Sequence, residues 1–304
     1  MSHQSVLLQE TIELLHPQPG ACIVDCTLGA GGHSAALIEK ISPGGRLIGL
    51  DVDPQAIALA RAKLDPLAQT HQVRFDTVQT NYRRIASVLH DHQIQQVDGI
   101  LADFGMSSMQ LDQPERGFSF RFDAPLDMRM DPTLPMTAAD ILSTVGEEEL
   151  ANILYNFGGE HKSRRIARAL VSERSRSPIT TTGQLEEAVR RALRIRGHRK
   201  IHPATKTFQA LRIAVNQEID AITEFLDAAP ELLKPGGTLA IIAFHSLEDR
   251  PVKQRFKALG QTGRFKQLVK FVAPGRDEQR ENPRSRSAKL RAIRATLVTE
   301  AETN

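Results

Sequence analysis

Residues 20–34 read Gly-Ala-Cys-Ile-Val-Asp-Cys-Thr-Leu-Gly-Ala-Gly-Gly-His-Ser, and this stretch decides the fold. Its first half, Cys22 to Cys26, is short, apolar and β-branched, which predicts a strand buried in a parallel sheet. Glycines follow at positions 29, 31 and 32, and Ser34 opens a helical pattern. A strand, a glycine turn and a helix predict the first βα unit of a nucleotide-binding α/β sheet, because glycine lets the backbone approach a ligand closely.

The kind of ligand depends on the spacing of the glycines. The dinucleotide fingerprint requires a third glycine three residues after the second, and Ser34 occupies that position. The pattern Asp25-x-Thr27-x-Gly29-x-Gly31-Gly32-His33 instead resembles motif I of S-adenosylmethionine-dependent methyltransferases, whose ligand has no pyrophosphate. The alternative is a structural glycine turn that binds nothing, and the rest of the chain decides between the two.

Bulk composition limits the class of protein. The 304 residues are 40% hydrophobic and 25% charged, which suits one large domain or two of moderate size. No stretch approaches the roughly 18 consecutive apolar residues of a membrane span, and residues 1–20 lack the pattern of a signal peptide. Cys22 and Cys26 lie about 13 Å apart on one predicted strand, too far for a disulfide. Without a second Cys/His pair at zinc spacing, we expect no metal site and a reducing cytoplasm.

The net charge of +3 conceals a segregation of charge along the chain. Residues 161–200, the first basic block, contain 12 Lys and Arg against 3 Asp and Glu. Residues 253–294, the second basic block, contain 13 against 3, and the remaining residues carry 14 basic and 30 acidic side chains. Two basic blocks on an acidic body indicate a polyanionic partner, most simply nucleic acid. The alternative is that each block is only a solvated helix face.

Two aspartates follow the second predicted strand, Arg46 to Leu50. Asp53 precedes a proline and a helical run, which predicts an N-cap with Pro54 at the first helical position. Asp51 ends the strand 20 residues after Gly31, where sheets of this kind place a carboxylate on ribose hydroxyls. We therefore assign Asp51 to ligand binding and Asp53 to the helix.

The next two strands also end near candidate site residues. Strand three, Val73 to Val78, is followed by Tyr82, which either stacks on adenine or joins the core beside the next helix. Strand four, Val97 to Ala102, ends in Asp103. Ligands of open α/β sheets bind beyond the carboxyl ends of the strands, so Asp103 is expected at the reaction zone.

The alternation of strands and helices then stops. Strand five is predicted at Thr238 to Phe244, and 134 residues separate it from Asp103, where a crossover needs about 30. A helical pattern over Phe208 to Leu226 is assigned to that crossover. The sequence thus predicts a core of residues 1–107 and 208–304 and an inserted domain of residues 108–207, loop-like to about Pro135 and helical afterwards.

Arginines recur three to four residues apart in the helical part of the insertion. This spacing places them on one face of each helix, where a stripe of positive charge can follow RNA phosphates. The predicted RNA-binding residues are Arg164, Arg165, Arg168, Arg190, Arg191 and Arg194.

The C-terminal part of the chain supplies the last local signals. Ser246 and Asp249 have the spacing of a capping box at a helix start. His245 lies at the carboxyl end of strand five and is assigned either to the pocket or to the core. The apolar groups at Leu268 to Val272 and Leu290 to Leu297 predict two further strands.

Eight motifs between Ser5 and Leu297 are similar to those of one family, the bacterial RsmH (MraW) methyltransferases. They are Gly29-Ala-Gly-Gly-His-Ser, Asp51-Val-Asp-Pro, Asp103-Phe-Gly-Met-Ser-Ser-Met-Gln-Leu-Asp, Glu115-Arg-Gly-Phe-Ser-Phe, Pro125-Leu-Asp-Met-Arg-Met-Asp-Pro, His202-Pro-Ala-Thr-Lys-Thr-Phe-Gln-Ala-Leu-Arg, Phe244-His-Ser-Leu-Glu-Asp-Arg and Asn282-Pro-Arg-Ser-Arg-Ser. The motifs follow the order of that family, and several are long and peculiar to it.

The resemblance implies a Rossmann-like class I methyltransferase core, a doubly wound and mostly parallel sheet, with an inserted mainly α-helical substrate-recognition domain. It implies S-adenosylmethionine as the cofactor. The implied cofactor-binding residues are Gly31, Gly32, His33, Asp51, Tyr82, Asp103 and Gln110. Tyr82 stands where the family more often has phenylalanine, and Met109 replaces a proline that is usual in the loop before Gln110.

The resemblance also implies the reaction, which is methylation of N4 of a cytosine in the decoding region of 16S rRNA within the 30S subunit or a late precursor. Methylation at carbon 5 would use a cysteine nucleophile, but both cysteines lie in strand one, away from strand four. Asp103 is the candidate catalytic residue, and either its side chain or a backbone carbonyl holds the amine. The alternatives are a small-molecule or protein methyltransferase and a non-catalytic RNA-binding assembly factor. The oligomeric state is left open, with a homodimer among the options.

Overall fold

The computed structural model describes residues 5–194 and 202–297. Within them, seven strands form one sheet in the order β3-β2-β1-β4-β5-β7-β6. The strands are β1 (Cys22–Asp25), β2 (Arg46–Asp51), β3 (Arg74–Gln79), β4 (Val97–Asp103), β5 (Leu233–Ala243), β6 (Phe265–Val272) and β7 (Lys289–Ala295). Strands β1 to β5 pair in parallel, whereas β7 pairs antiparallel with both β5 and β6. The predicted doubly wound, mostly parallel α/β sheet is confirmed, as are the two C-terminal strands.

The described residues form two compact units, residues 1–105 with 219–304 and residues 106–218. The helices are α1 (Leu8–Leu15), α2 (Gly32–Ile41), α3 (Pro54–Thr70), α4 (Ile85–Asp91), α5 (Ser108–Asp112), α6 (Ala138–Thr144), α7 (Glu147–Gly158), α8 (Ser163–Arg174), α9 (Thr182–Leu193), α10 (Thr205–Asn216), α11 (Glu218–Ala228), α12 (Ser246–Gln261) and α13 (Arg276–Glu281). We call the first unit the core unit and the second the inserted unit. No helix in the described ranges is long and apolar enough to cross a membrane.

The sheet of the core unit is covered on both faces. Successive strand residues point to opposite faces, so Ile23 and Leu47 pack in one apolar cluster while Val24 and Ile48 pack in the other. These four side chains are fully shielded from water, which explains why β1 and β2 are nearly continuous apolar runs rather than alternating ones. This double covering leaves the ends of the strands as the place where polar groups can meet a ligand.

The single helix predicted over residues 208–226 is two helices in the structure. Gln217 takes a left-handed backbone conformation with φ 50° and ends α10, and α11 begins at the next residue. The apolar face of α10, with Phe208 and Leu211, is buried in the apolar cluster of the inserted unit. The boundary between the units therefore lies at Glu218 instead of the expected residue 207, because helical periodicity does not reveal which core a helix packs on.

The irregular segment between α5 and α6 is held by polar contacts within the inserted unit. Asn216 donates to the carbonyl of Met128 and accepts from the N–H of Met130, at 2.8 and 2.7 Å. Arg116 donates to the carbonyls of Arg129 and Met130, both at 3.0 Å. Asn216 therefore fixes this loop to α10, and Arg116 ties two parts of the loop to each other.

The capping box predicted for Ser246 and Asp249 is wrong by one residue. The N-cap of α12 is His245, and the carboxylate of Glu248 accepts from the backbone N–H groups of Phe244 and His245, at 2.7 and 3.3 Å. Asp249 instead binds Arg291 of β7, with Nε and Oδ1 2.7 Å apart. The carboxylate of Asp249, which the local pattern assigned to the helix cap, is thus bound by Arg291, a residue distant in the sequence.

Candidate functional site

Asp51 lies at the carboxyl end of β2, and both of its carboxylate oxygens already accept backbone hydrogen bonds. Oδ2 accepts from Gly29 at 2.8 Å and Oδ1 from Asp53 at 2.9 Å. Burial raises the pKa of this carboxyl to about 6. A carboxylate has about four lone-pair sites, so each oxygen can accept one further hydrogen bond. These remaining acceptor sites are compatible with a pair of ribose hydroxyls, and the ribose contact expected of Asp51 stays a prediction.

The second predicted function of this region, the N-cap at Asp53, is confirmed. Its side chain accepts from the N–H of Gln55 at 3.0 Å, and Pro54 is the first residue of α3. Asp53 therefore starts α3 as expected, and the ligand contact of Asp51 stays a prediction.

The three glycines of the turn have different neighbours. A Cβ added at Gly31 would lie 2.7 Å from Leu64 of α3, and one added at Gly32 would overlap the hydroxyl of Ser5. At Gly29, where φ is 51°, the nearest atom to an added Cβ is the Thr27 carbonyl at 3.9 Å. Gly31 and Gly32 are thus required by packing within the protein, and Gly29 is the glycine with an open side.

The imidazole of His33, in the first turn of α2, is buried against the N-terminal segment. Its Nε2 atom lies 3.0 Å from the carbonyl oxygen of Val6. This contact joins α2 to the segment that precedes α1. The cofactor contact expected of His33 remains a prediction, and the structure adds a structural role for its side chain.

Asp25, Thr27 and Ser34 form a polar network between β1, α2 and β4. The Asp25 carboxylate accepts from the Thr27 N–H at 3.2 Å and from the Ser34 hydroxyl at 2.7 Å. Burial raises the pKa of Asp25 to about 6. The Thr27 hydroxyl in turn accepts from the backbone N–H of Asp103 at 2.6 Å. Sequence reasoning assigned no role to Thr27 or Ser34, although both lie in the quoted glycine-turn motif.

Asp103 ends β4 with a buried carboxyl group. Its Oδ1 atom is shielded from water and has no hydrogen-bond partner among the described residues. Burial, reinforced by the charges of Asp25 and Glu248, raises the pKa of Asp103 well above its ordinary value. Buried polar atoms are nearly always satisfied, so this orphaned oxygen is explained best by a ligand that supplies the missing partner.

Because the pKa of Asp103 is raised, we expect its replacement by an uncharged side chain to stabilise the protein by an amount that depends on pH. The folded protein keeps the proton at pH values above 3.8, where the unfolded chain has lost it, so the free energy of unfolding falls as the pH rises. Each pH unit between the two pKa values contributes about 1.4 kcal/mol. The variant Asp103→Asn has no such proton, and its free energy of unfolding relative to wild type should increase as the pH rises above 3.8.

Urea unfolding of both proteins without cofactor, at several pH values, measures this difference. A gap between the two curves that stays constant with pH would show that Asp103 is ionised in the folded protein.

The position of Tyr82 is compatible with both roles considered for it. Its half-buried ring packs against Phe104 and Phe225, with centroid distances of 5.3 and 5.5 Å. Phe104 itself is fully buried and 6.0 Å from Phe225. Tyr82 thus belongs to the edge of the core, as the alternative stated, and its partly exposed ring leaves stacking on adenine as a prediction.

Gln110 belongs to the inserted unit, whereas the other predicted cofactor-binding residues belong to the core unit. Its side-chain oxygen accepts from the N–H of Ser107 at 3.1 Å, and its own N–H donates to the Ser107 hydroxyl at 3.3 Å. This capping box starts α5. A cofactor contact from Gln110 remains a prediction.

The predicted RNA-binding arginines are exposed on α8 and at the end of α9. They lie opposite the buried faces of the two helices, which include Ile166 and Leu185. Some are already paired: Arg168 with Glu147 at 3.3 Å, Arg190 with Glu186 at 3.6 Å, and Arg191 with Glu173 at 3.1 Å. Arg164, Arg165 and Arg194 have no acidic partner in the part of the chain that the structure describes. Residues 195–200 of the first basic block lie outside the described residues.

The groups at the carboxyl edge of the core unit leave space and acceptor atoms for a polar ligand. Asp51 has acceptor sites left for hydroxyls, Gly29 leaves one side of the turn open, and Asp103 has an unsatisfied buried oxygen. The network of Asp25 and Thr27 holds the ends of β1 and β4 in register. These features lie at the topological switch point, where β1 is flanked by β2 and β4.

Comparisons with known proteins identify one family. The family model described as the MraW methylase family matches residues 1–296. A "Ribosomal RNA small subunit methyltransferase H" of Acidobacterium capsulatum is 46% identical over 291 residues, 95% of this chain and 97% of the relative. The protein of the same name from Fervidobacterium nodosum is 48% identical over 292 residues, 95% of this chain and 96% of the relative. A solved structure described as a putative rRNA-methylase from Clostridium thermocellum covers 97% of this chain and 100% of its own, with a TM-score of 0.48 at 14% identity.

Proposed function

Because the chain belongs to the MraW methylase family, which uses S-adenosylmethionine, we propose that it methylates the exocyclic N4 amine of a cytosine in 16S rRNA. The relatives that carry the name of ribosomal RNA small subunit methyltransferase H support the rRNA substrate. The target lies in the decoding region, within the 30S subunit or a late precursor, in the cytoplasm. The observation that carries the proposal is the unsatisfied buried oxygen of Asp103 at the end of β4.

The cofactor would be held at the carboxyl ends of β1 and β2. When bound, S-adenosylmethionine supplies a methyl group on a sulfonium, which an amine can attack. Asp51 accepts from the ribose hydroxyls, and its orientation is set by the N–H groups of Gly29 and Asp53. A carboxylate whose geometry is fixed before the ligand arrives loses little entropy on binding.

Asp103 would hold the target amine. The lone pair of a cytosine N4 atom is delocalised into the ring, so an acceptor that binds the amine hydrogens makes the nitrogen more nucleophilic. The Oδ1 atom of Asp103 has an acceptor site with no partner, and its backbone is fixed through Thr27. A backbone carbonyl after β4 is the alternative acceptor.

The cysteines support direct transfer over a covalent intermediate. Methylation at carbon 5 of cytosine requires a reactive thiolate. Burial raises the pKa of the Cys22 thiol, and burial raises that of Cys26 even further above its ordinary value. Both thiols are therefore protonated at neutral pH, and Cys26 is almost completely shielded from solvent. This supports direct attack by the amine over a covalent intermediate.

Methyl transfer from radiolabelled S-adenosylmethionine to purified 30S subunits that lack the modification tests the proposal. Free 16S rRNA serves as a parallel substrate, and the labelled nucleoside is identified by mass spectrometry. Label in N4-methylcytidine is the expected result. Label in another nucleoside would reject the N4 target, and label in protein alone would reject the rRNA substrate.

The inserted unit would contact RNA through its arginine faces. A lysine or arginine that neutralises one phosphate contributes about 0.9 to the slope of log affinity against log salt on B-DNA, and about 0.7 on single strands. We expect Arg165→Gln to weaken rRNA binding and to lower this slope by about 1. Arg168→Gln should have a smaller effect, because Glu147 already neutralises Arg168. Binding of a labelled rRNA fragment at several salt concentrations measures both effects.

Arg121→Gln is the matched control, since Arg121 is exposed in the same unit but outside the basic block. Equal losses for all three variants would show that the unit attracts RNA by its total charge alone. No loss for Arg165→Gln would make this face of α8 a solvated surface.

A further inference from the structure

A cleft opens in the core unit beside the carboxyl end of β5. Its volume is about 320 Å³, and it lies between the first turn of α12, the end of β6 and the start of β7. Residues that line it include Ser246, Asp249, Phe271, Arg286 and Lys289. None of them belongs to the cofactor-binding groups around β1 and β2. Phe271, Arg286 and Lys289 belong to the second basic block. The RNA contacts proposed for the inserted unit give no role to this block.

The cleft has an excess of positive charge. Asp249 is its one acidic lining residue, and Arg291 and Lys289 bind it with nitrogen–oxygen distances of 2.7 and 3.1 Å. Two cations therefore share one carboxylate. Arg286 is exposed at the rim and pairs with no acidic side chain in residues 5–194 and 202–297. An anion that enters the cleft meets this unpaired guanidinium and the surplus charge of the buried cluster.

An aromatic ring stands in the wall of the cleft. Phe271, near the end of the edge strand β6, is 44% exposed, so part of its ring is open to solvent. Lys289 Nζ and Arg291 Cζ lie 5.8 and 5.7 Å from its ring centroid. Such cation–π contacts hold the ring in place while leaving part of it open. A fixed, partly exposed ring next to positive charge is the arrangement on which unpaired nucleobases stack.

We propose that this cleft binds one nucleotide of single-stranded RNA beside the target cytosine, with its base on Phe271 and its phosphate on Arg286. The inference rests on the proposed function, because it takes the substrate to be rRNA. The combination of ring and unpaired guanidinium selects a nucleotide over an apolar or acidic peptide ligand. An unpaired base is required, because a base inside a duplex cannot offer its face to the ring.

The position of the cleft in the sheet suits a neighbouring nucleotide. Strands β4 and β7 are separated only by β5, and adjacent strands lie about 4.8 Å apart, so β7 begins about 10 Å from the strand that carries Asp103. Strand β7 runs antiparallel to β5, which brings its first residue, Lys289, to the same edge of the sheet as the last residue of β5. Asp103 and the cleft therefore share the carboxyl edge of the core unit, on the side of β4 away from β2.

The experiment measures binding of a fluorescent single-stranded RNA oligonucleotide with the target sequence to the full-length protein. We expect Phe271→Ala to weaken binding by about tenfold, as removal of a stacking ring does elsewhere. Arg286→Gln should weaken binding and lower the salt slope by about 1. Neither residue touches the cofactor-binding groups, so the affinity for S-adenosylmethionine should stay the same in both variants.

Two variants serve as matched controls in the core unit. Leu59→Ala removes another exposed apolar side chain, on α3, and Lys266→Gln removes a charge from the opposite end of β6. Both should bind the oligonucleotide like wild type. In addition, ultraviolet crosslinking of the bound oligonucleotide should attach it to the peptide that contains Phe271, as identified by mass spectrometry.

The outcomes separate this inference from the proposed function. If Phe271→Ala and Arg286→Gln bind the oligonucleotide like wild type and no crosslink forms at β6, the cleft does not bind a nucleotide, even if N4-methylcytidine is formed. Weakened binding and a crosslink at Phe271 would support it even if the methylated nucleoside proves to be another one. Equal losses in the two controls would also overturn it, because the effect would then belong to the surface as a whole.

Discussion

Replacing Asp51 with alanine should weaken the binding of S-adenosylmethionine by about a hundredfold, which corresponds to about 2.7 kcal/mol. The carboxylate would otherwise accept two hydrogen bonds from the ribose, and hydrogen bonds to charged groups are the stronger class. The substitution also leaves the N–H groups of Gly29 and Asp53 without their acceptor. The glycine turn then loses its fixed shape on the side that is open at Gly29. Calorimetric titration of the cofactor measures the loss.

Asp53→Ala is the matched control for this experiment. It removes the N-cap of α3, and the loss of such a cap costs about 1 kcal/mol of stability. Its effect should appear in thermal unfolding and leave the cofactor affinity within a small factor of wild type. Unchanged affinity in Asp51→Ala would show that another residue binds the ribose. Equal losses of affinity in both variants would show that cofactor affinity depends on the general stability of the loop and not on a ribose contact of Asp51.

Asp103→Asn should lower the rate of methyl transfer by about a thousandfold while leaving the cofactor dissociation constant nearly unchanged. The amide keeps the size of the side chain but cannot become the negatively charged carboxylate, which is the stronger acceptor for the amine hydrogens. Catalytic groups that act directly on the reacting atoms contribute about 10² to 10⁴ in rate. Single-turnover kinetics with saturating cofactor and rRNA measures the chemical step apart from binding.

Asp98→Asn provides the same substitution at the opposite end of β4. Asp98 accepts from the Cys22 N–H and from Lys234, at 2.8 and 2.7 Å, so its loss affects the start of the strand alone. It should reduce stability and leave the rate constant of transfer close to wild type. If Asp103→Asn instead weakens cofactor binding with little effect on the rate, Asp103 contacts the cofactor, and a backbone carbonyl holds the amine.

The fold followed from local signals because each element carries its own pattern. The apolar run at Cys22, the glycine turn and the helix after it specify a βα unit through interactions between close neighbours. The ends of β2 and β4 could be found for the same reason, and Asp51 and Asp103 lie where those strands stop. The insertion was evident from chain length alone, since no crossover needs so many residues.

Other features were decided by partners far along the chain. The apolar periodicity of α10 predicts a buried helix, but it does not indicate that this helix packs in the inserted unit. Asp249 has the spacing of a capping residue, and only the pairing of β5 with β7 brings Arg291 to it. The glycines at 31 and 32 look alike in sequence, yet Leu64 and Ser5 determine why neither can carry a side chain.

The sequence by itself determined the succession of the seven strands, the family and the positions of the carboxylates at the ends of β2 and β4. Short-range sterics, hydrophobic periodicity and motif spacing contain that information. The tertiary structure alone decided that Asp103 has an unsatisfied oxygen, that Thr27 fixes its backbone and that Phe271 stands in a basic cleft. Burial and hydrogen-bond satisfaction depend on every group that surrounds an atom, and those groups come together only when distant segments pack.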